Sequence, residues 1–194
     1  MSIDKINKQV EEAPLTKEES KAQFVAMTEE LGIKHSFNFE EAWEIGEEIR
    51  QRKAFRESIV DFETTVRDKG GWLSEKETHE LNPVKHSFAD GVYVRQMDMK
   101  KDTVVVGAIH KHLHVWFLLT GDITVATEDT TEDYIAPCYV VSTPGVKRVI
   151  LANEDSIFVN IHKNPSNTQD IDKLEKEIVA LNYEEYEEYI NKNK

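Results

Sequence analysis

The stretch Gly107-Ala-Ile-His110-Lys-His112-Leu-His114-Val-Trp-Phe-Leu-Leu-Thr-Gly121 decides how the chain is read. An apolar strand opens here with a histidine at every second position. Strand side chains alternate between faces, so His110, His112 and His114 are expected on one face, with Ile109, Lys111, Leu113 and Val115 on the other. A buried imidazole needs a hydrogen-bond partner, so packing alone does not ask for three of the chain's seven histidines within five residues. Metal ligation does. On a flat strand the outer pair would stand roughly 13 Å apart at Cα, too far for one ion whose bonds to nitrogen are about 2.0–2.1 Å. The spacing therefore predicts two same-face imidazoles plus a ligand from a neighbouring strand, or a bend that draws the outer pair together. The neighbouring ligand is expected to be His162, which closes Ser156-Ile-Phe-Val-Asn-Ile-His162 on the face of Phe158 and Asn160. A proton-transfer cluster, a polar ligand pocket and a solvated strand face are the other readings of the same residues.

Outward from this stretch, the 194 residues suit one principal domain with helical additions, and 39% hydrophobic content supplies one moderate core. A net charge of −13, from 37 acidic and 24 basic residues, argues against nucleic acid or an anionic membrane as the main partner. No apolar run approaches membrane-span length, and Met1-Ser-Ile-Asp-Lys-Ile-Asn-Lys lacks the apolar core of a secretion signal, so a cytoplasmic protein is expected. The single cysteine, Cys138, excludes an internal disulfide and reads as strand packing.

Residues 1–89 read as an acidic helical region. A polar lead precedes an N-cap at Thr16, with Glu19 at capping-box spacing. Ala22, Phe24, Met27 and Leu31 form a helical stripe that stops at Gly32. A second helix is expected from Asn38 or Phe39, with Trp43, Gly46 and Ile49 along one side. A third runs from Lys53 to Arg67 on Phe55, Ile59, Phe62 and Val66, ending at Gly70-Gly71. These stripes are expected to pack against one another or against the following domain, leaving the glutamates on a solvated face.

From Asp90 to Pro165 short apolar segments alternate with turn residues, the pattern of antiparallel β structure. Strands are expected over Val92–Met99, Thr103–Ile109, Val115–Thr120, Ile123–Thr127, Tyr134–Ser142, Lys147–Ala152 and Ser156–His162. Gly121-Asp122, Asn153-Glu154-Asp155 and Pro144-Gly145 supply turns. Seven short strands favour a sandwich or small barrel whose interior houses a ligand. After Pro165 the stripe Ile171, Leu174, Ile178 and Leu181, followed by Tyr183-Glu-Glu-Tyr-Glu-Glu-Tyr, reads as a C-terminal helix over 166–194. The fold class is therefore α+β, a central antiparallel barrel between helical ends.

The region Val92 to His162 resembles the cupin barrel, or double-stranded β-helix, whose histidine-rich first motif ends in glycine and whose second begins with a Pro/Gly turn. More narrowly, Gly107-x-Ile-His-Lys-His112, Leu119-x-Gly121, Thr127-Glu128, Ala136-Pro137-Cys138, Pro144-Gly145-x-Lys147-Arg148 and Glu154-Asp155 resemble cupin-like proteins of tailed phages and prophages. The usual cupin inventory is not reproduced. Counting back from Gly121, His114 stands where the family has a glutamate, His110 at the second histidine and Ala108 at the first, while His112 is additional. In the second motif Arg148 occupies the histidine position. A guanidinium stays protonated and does not ligate a divalent ion, but it clamps a carboxylate or phosphate well. A strand-edge ion pair is its other reading.

Together these readings predict a divalent transition metal (Fe, Zn, Mn or Ni) held by His110, His112, His114 and His162, with Arg148 orienting a small anionic ligand. Oxygenase, isomerase and hydrolase chemistry all fit, and no acid/base pair is identifiable; Glu128 is expected on an exposed turn. The alternative is a non-catalytic virion component, its barrel a scaffold and its helical ends arms to homo-oligomeric or phage structural partners. Location would then be the virion, and otherwise the host cytoplasm.

Overall fold

The computed structural model describes residues 15–30, 32, 38–70 and 75–194. The polar lead before residue 15, Leu31 and Gly71 lie outside the described residues. The chain divides into two compact units, residues 1–50 and 51–194.

In the first unit, α1 (Lys17–Glu30) begins with the expected capping box. The Thr16 amide donates to Glu19 Oε2 at 2.8 Å, and the Glu19 amide donates to Thr16 Oγ1 at 3.3 Å. Gly32 follows at φ 62°. The second and third helices expected from the sequence are one, α2 (Phe39–Asp68). Gln51 and Arg52, which join them, are good helix formers, and neither glycine nor proline stands at the junction. The stripe is not a buried seam throughout, since Met27 is 50% and Ile49 62% exposed.

The second unit opens with the rest of α2, which buries Ile59, and α3 (Glu75–Leu81). Strand structure starts earlier than the periodicity indicated, at β1 (Val84–Ala89), paired with β2 (Val92–Met99). Then come β3 (Val104–Val106), β4 (Ile109–His110), β5 (His114–Thr120), β6 (Asp122–Ala126), β7 (Thr131–Ile135), β8 (Cys138–Ser142), β9 (Val149–Ala152) and β10 (Ser156–Lys163). The expected strand Tyr134–Ser142 is two strands. Pro137 between them has no N–H to extend a ladder, and the Ala136-Pro137 peptide is cis. The expected single C-terminal helix is α4 (Ile171–Ile178), β11 (Val179–Ala180) and α5 (Tyr183–Lys192). Asn182 caps α5, its side chain accepting from the Glu185 amide, and so starts a new helix there.

Two antiparallel sheets form the barrel, ordered β1-β2-β10-β5-β8 and β3-β9-β6-β7, with β4 paired to β11 apart from both. Inward-facing side chains follow the period of two. Met97, Met99, Trp116, Leu118 and Phe158 from the first sheet meet Ile123, Val125, Ile150 and Ala152 from the second in one buried apolar cluster. Each fully buried side chain of this kind stabilises the fold by about 1.5–3 kcal/mol. Cys138 is partly buried against this cluster, as packing requires. Gly121 makes the β5–β6 turn at φ 88°, where a Cβ would lie 2.1 Å from Ser156 Oγ and 2.6 Å from the Asp155 carbonyl oxygen. No other residue fits there.

The same inward faces turn polar toward one end. Along β10 the inner positions run Phe158, Asn160, His162; along β5 they run Leu118, Trp116, His114; along β2 they run Met97, Arg95, Tyr93. Register aligns them: Asn160 stands beside Arg95 on one side and Trp116 on the other, and His162 beside Tyr93. An apolar plug thus closes one end of the barrel interior and a polar chamber occupies the other.

Candidate metal centre

His110, His112 and His114 do not lie on one straight strand. The chain leaves β4 after His110, bends through Lys111 and His112, and re-enters sheet structure at His114. The expected common opposite face is therefore replaced by divergence: Ile109 and Lys111 are buried, whereas Leu113 is 61% exposed. Lys111 causes part of this. Its ammonium is drawn inward, donating to the Lys176 carbonyl at 2.8 Å and to Glu185 at 3.3 Å, which removes the alternation an extended strand would keep.

The bend brings the outer pair together. The ring centroids of His110 and His114 are 3.9 Å apart, those of His110 and His162 4.9 Å, and those of His114 and His162 4.8 Å. His112 meets His162 edge-on at 5.7 Å. The bent stretch 110–114 and β10 thus bring the four named imidazoles together around His162. His112, His114 and His162 are 7%, 3% and 3% exposed.

The polypeptide gives these rings little to bond. Both nitrogens of His112, both of His114 and Nδ1 of His162 are buried without a well-formed hydrogen bond among the described residues, the His114 ring making only a weak approach to the His112 backbone that opposes the fall in its pKa. Burial pushes His112 down to about 4, and His114 and His162 down to about 3, from an ordinary 6.5. After burial, the Arg148 charge is the next cause for His114, and the neighbouring His114 for His162. His110 is held well below its usual value by burial and then by the His114 ring. The rings are therefore neutral at physiological pH, the form that ligates. Among the described residues, no group of three or more His, Cys, Asp or Glu side chains is arranged so that it could hold a metal ion. The fit with a metal lies in donor type, burial and orphaned nitrogens.

A cavity of about 210 Å³ opens beside His110 and His162, lined also by Arg95, Arg148 and Asn160. Arg148 is 6% exposed and has no carboxylate within ion-pair distance among the described residues; its one polar contact is Nη1 to His110 Nδ1 at 3.5 Å. Burial lowers its affinity for the proton to about 10, and an unpaired buried cation costs several kcal/mol. The expected strand-edge ion pair is thus not made. Asn160 is 7% exposed, with Oδ1 unpartnered. Glu128 is neither at this site nor on an exposed turn: its side chain is 6% exposed and bonds Arg56 of α2, with Arg56 Nη2 at 3.0 Å from Oε1.

The C-terminal segment walls the chamber. β11 pairs with β4, Val179 opposite His110, and Val179 and Leu181 line the cavity. The Pro144-Gly145 turn lies under α5: Gly145 donates to the His110 carbonyl at 2.9 Å, and a Cβ at its φ of 84° would approach the Tyr186 ring to 2.8 Å. Sequence periodicity missed this wall because two-residue strands carry no period. Arg95 was also missed, although its place between Tyr93 and Met97 in an alternating strand marks it as inward-facing.

The eight strands β2, β3 and β5–β10, in the orders β2-β10-β5-β8 and β3-β9-β6-β7, form two interlocked Greek keys. The barrel is a jelly roll. Solved structures, cupin proteins among them, are similar to this chain at low identity and at TM-scores below 0.5. KdgF from Halomonas sp. matches at TM-score 0.41 and 14% identity over 47% of this chain and 84% of its own. A Cupin 2 conserved barrel domain protein from Salinispora arenicola matches at 0.39 and 10%, over 50% and 84%. An RmlC-like cupin from Methanocaldococcus jannaschii, with a double-stranded β-helix fold, matches at 0.38 and 18%, over 44% and 82%. No protein-family model and no curated protein matches the chain. No described helix is long and apolar enough to cross a membrane.

Proposed function

We propose that this cupin-type barrel binds a divalent transition metal (Fe, Zn, Mn or Ni) through His110, His114 and His162, with His112 completing or tuning the site, and that Arg148 holds a small anionic ligand beside it. The observation that carries the reading is the set of five buried imidazole nitrogens without a well-formed hydrogen bond in the polypeptide. At about 1–3 kcal/mol for each unsatisfied buried group, their combined cost rivals the whole stability of a domain. One ion bonds one nitrogen per ring, so a cation would satisfy up to three of the five, one each on His112, His114 and His162, and offset that part of the cost. Rings bonding one ion at about 2.0–2.1 Å and roughly right angles have centroids about 4.5–5 Å apart. The separations about His162, 4.9 and 4.8 Å, fall in that range, while His110 and His114, at 3.9 Å, would move apart by about 1 Å to share the ion.

The bound ion would supply Lewis acidity and a lowered pKa for coordinated water. The chain's own part is to keep the imidazoles neutral by burial, to present the Arg148 guanidinium to an acidic group, and to shield the chamber with Ile178 and Val179. Elemental analysis of protein purified without an affinity tag tests this. Near-stoichiometric metal in the wild type, lost in His162→Ala and reduced in His112→Ala, is expected. Negligible metal in all three rejects the site.

The second reading, a virion scaffold of phage origin with helical arms, is favoured by one observation: α2 exposes Ile45, Ile49, Val60 and Phe62, apolar side chains suited to subunit contacts. Many copies in purified particles would support it, and recovery only from infected-cell lysate would oppose it.

A further inference from the structure

Two guanidiniums enter the chamber from opposite sheets. Arg95 comes from β2 of the first sheet and Arg148 from the segment leading into β9 of the second, and both line the same cavity of about 210 Å³. Neither has a carboxylate within ion-pair distance among the described residues, although the chain carries thirteen more acidic than basic residues. Between the sheets lies Asn160, directly beside Arg95 in register, its Oδ1 an unpartnered acceptor. The carboxylate on this lining, Glu175 of α4, is on the solvent-exposed mouth.

These positions define a ligand. Two planar donor forks on opposing walls match two carboxylates, since a guanidinium bonds a carboxylate bidentately. A buried amide oxygen without a donor calls for a hydroxyl or an N–H on the ligand. The volume lies below the roughly 300–1,000 Å³ of drug-sized pockets and admits about ten non-hydrogen atoms. A third carboxylate would face Glu175 at the mouth and be repelled.

We propose that this cavity takes a small hydroxylated dicarboxylate of four to five carbons, one carboxylate on Arg148, the other on Arg95, and its hydroxyl donating to Asn160 Oδ1. The inference deepens the anionic-ligand reading above and rests on it for the location of the ligand, but not on the metal.

Calorimetric titration with L-malate, succinate, L-lactate and citrate at matched ionic strength tests it, on protein as isolated and after chelation and dialysis. Malate is expected to bind in both preparations, at least tenfold tighter than lactate, with succinate weaker than malate by the lost hydroxyl and citrate weaker than malate. Arg95→Gln is expected to weaken malate at least tenfold and to leave lactate and metal content unchanged. Arg95→Lys, which keeps the charge but not the fork, falls between. Malate no tighter than lactate, or malate binding unaffected by both Arg95 variants, overturns the proposal. Metal retained with no dicarboxylate binding sinks this inference alone; dicarboxylate binding by protein that never holds metal sinks the metal reading alone.

Discussion

Lowering the pH of metal-free protein from 7.5 to 5.5 should remove at least about 4 kcal/mol of stability from the barrel, the contribution of His112, His114 and His162, with His110 adding in the same direction. His112, His114 and His162 titrate near 4, 3 and 3 in the folded state, against an ordinary 6.5. The unfolded chain therefore binds protons that the folded one refuses. Stability rises with pH wherever the unfolded state is the more protonated, so it is complete above 6.5 and falls as pH drops below that value. Between pH 7.5 and 5.5 each of the three groups contributes about 1.4 kcal/mol, one pH unit's worth of linkage below 6.5. Carboxylates do not confound the interval. Glu40, Asp98 and Asp155 are depressed by hydrogen bonds to Lys17, Gln96 and Lys100 respectively, so their contributions are present above the ordinary carboxylate range and are lost only below it. Urea denaturation in chelator, in a Trp43→Phe, Trp72→Phe background so that buried Trp116 reports on the barrel, measures the change. A midpoint that falls at unchanged slope, with at least about three protons taken up on unfolding at the lower pH, is expected. An unchanged midpoint would refute the reasoning, because it would mean the rings already titrate normally and are not buried neutral.

Further outcomes follow from single contacts. Gly121→Ala should cost about 3 kcal/mol by urea denaturation, because the new Cβ meets Ser156 and the Asp155 carbonyl at a positive φ. Arg56→Ala should cost about 3 kcal/mol by leaving Glu128 buried and unpaired, and Arg56→Leu combined with Glu128→Leu should cost less than the sum of the single changes. Lys111→Ala should lose about 1–3 kcal/mol of local stability by freeing the Lys176 carbonyl, read as faster hydrogen exchange in β11 and α5 with β6 and β9 unchanged.

Legibility of the sequence varied with how far a structure depends on local pattern. β2 was legible to the residue, Val92–Met99, because its alternation is uninterrupted. The shared face of Phe158, Asn160 and His162 was legible for the same reason. Joining of two helical stripes into α2 was hidden by a phase change in apolar spacing near residue 50, which a solvent-exposed helix tolerates. The bend at Lys111-His112 was not legible, because it depends on Lys111 reaching a carbonyl 65 residues away. The histidines were visible as candidates, yet their packing order was not: His110 and His114, the pair farthest apart on an extended strand, are closest in space. Arg148 was visible through its motif position, while Arg95 became a site residue only once β2 was placed beside β10.

The central claim is that His110, His114 and His162 surround one metal ion inside the barrel. Anomalous X-ray diffraction from crystals of tag-free protein, collected above and below the absorption edge of the metal identified by elemental analysis, tests it most directly. A single anomalous peak between those three rings is the predicted result. No peak there in metal-replete crystals, or a peak only at surface residues, would contradict the account.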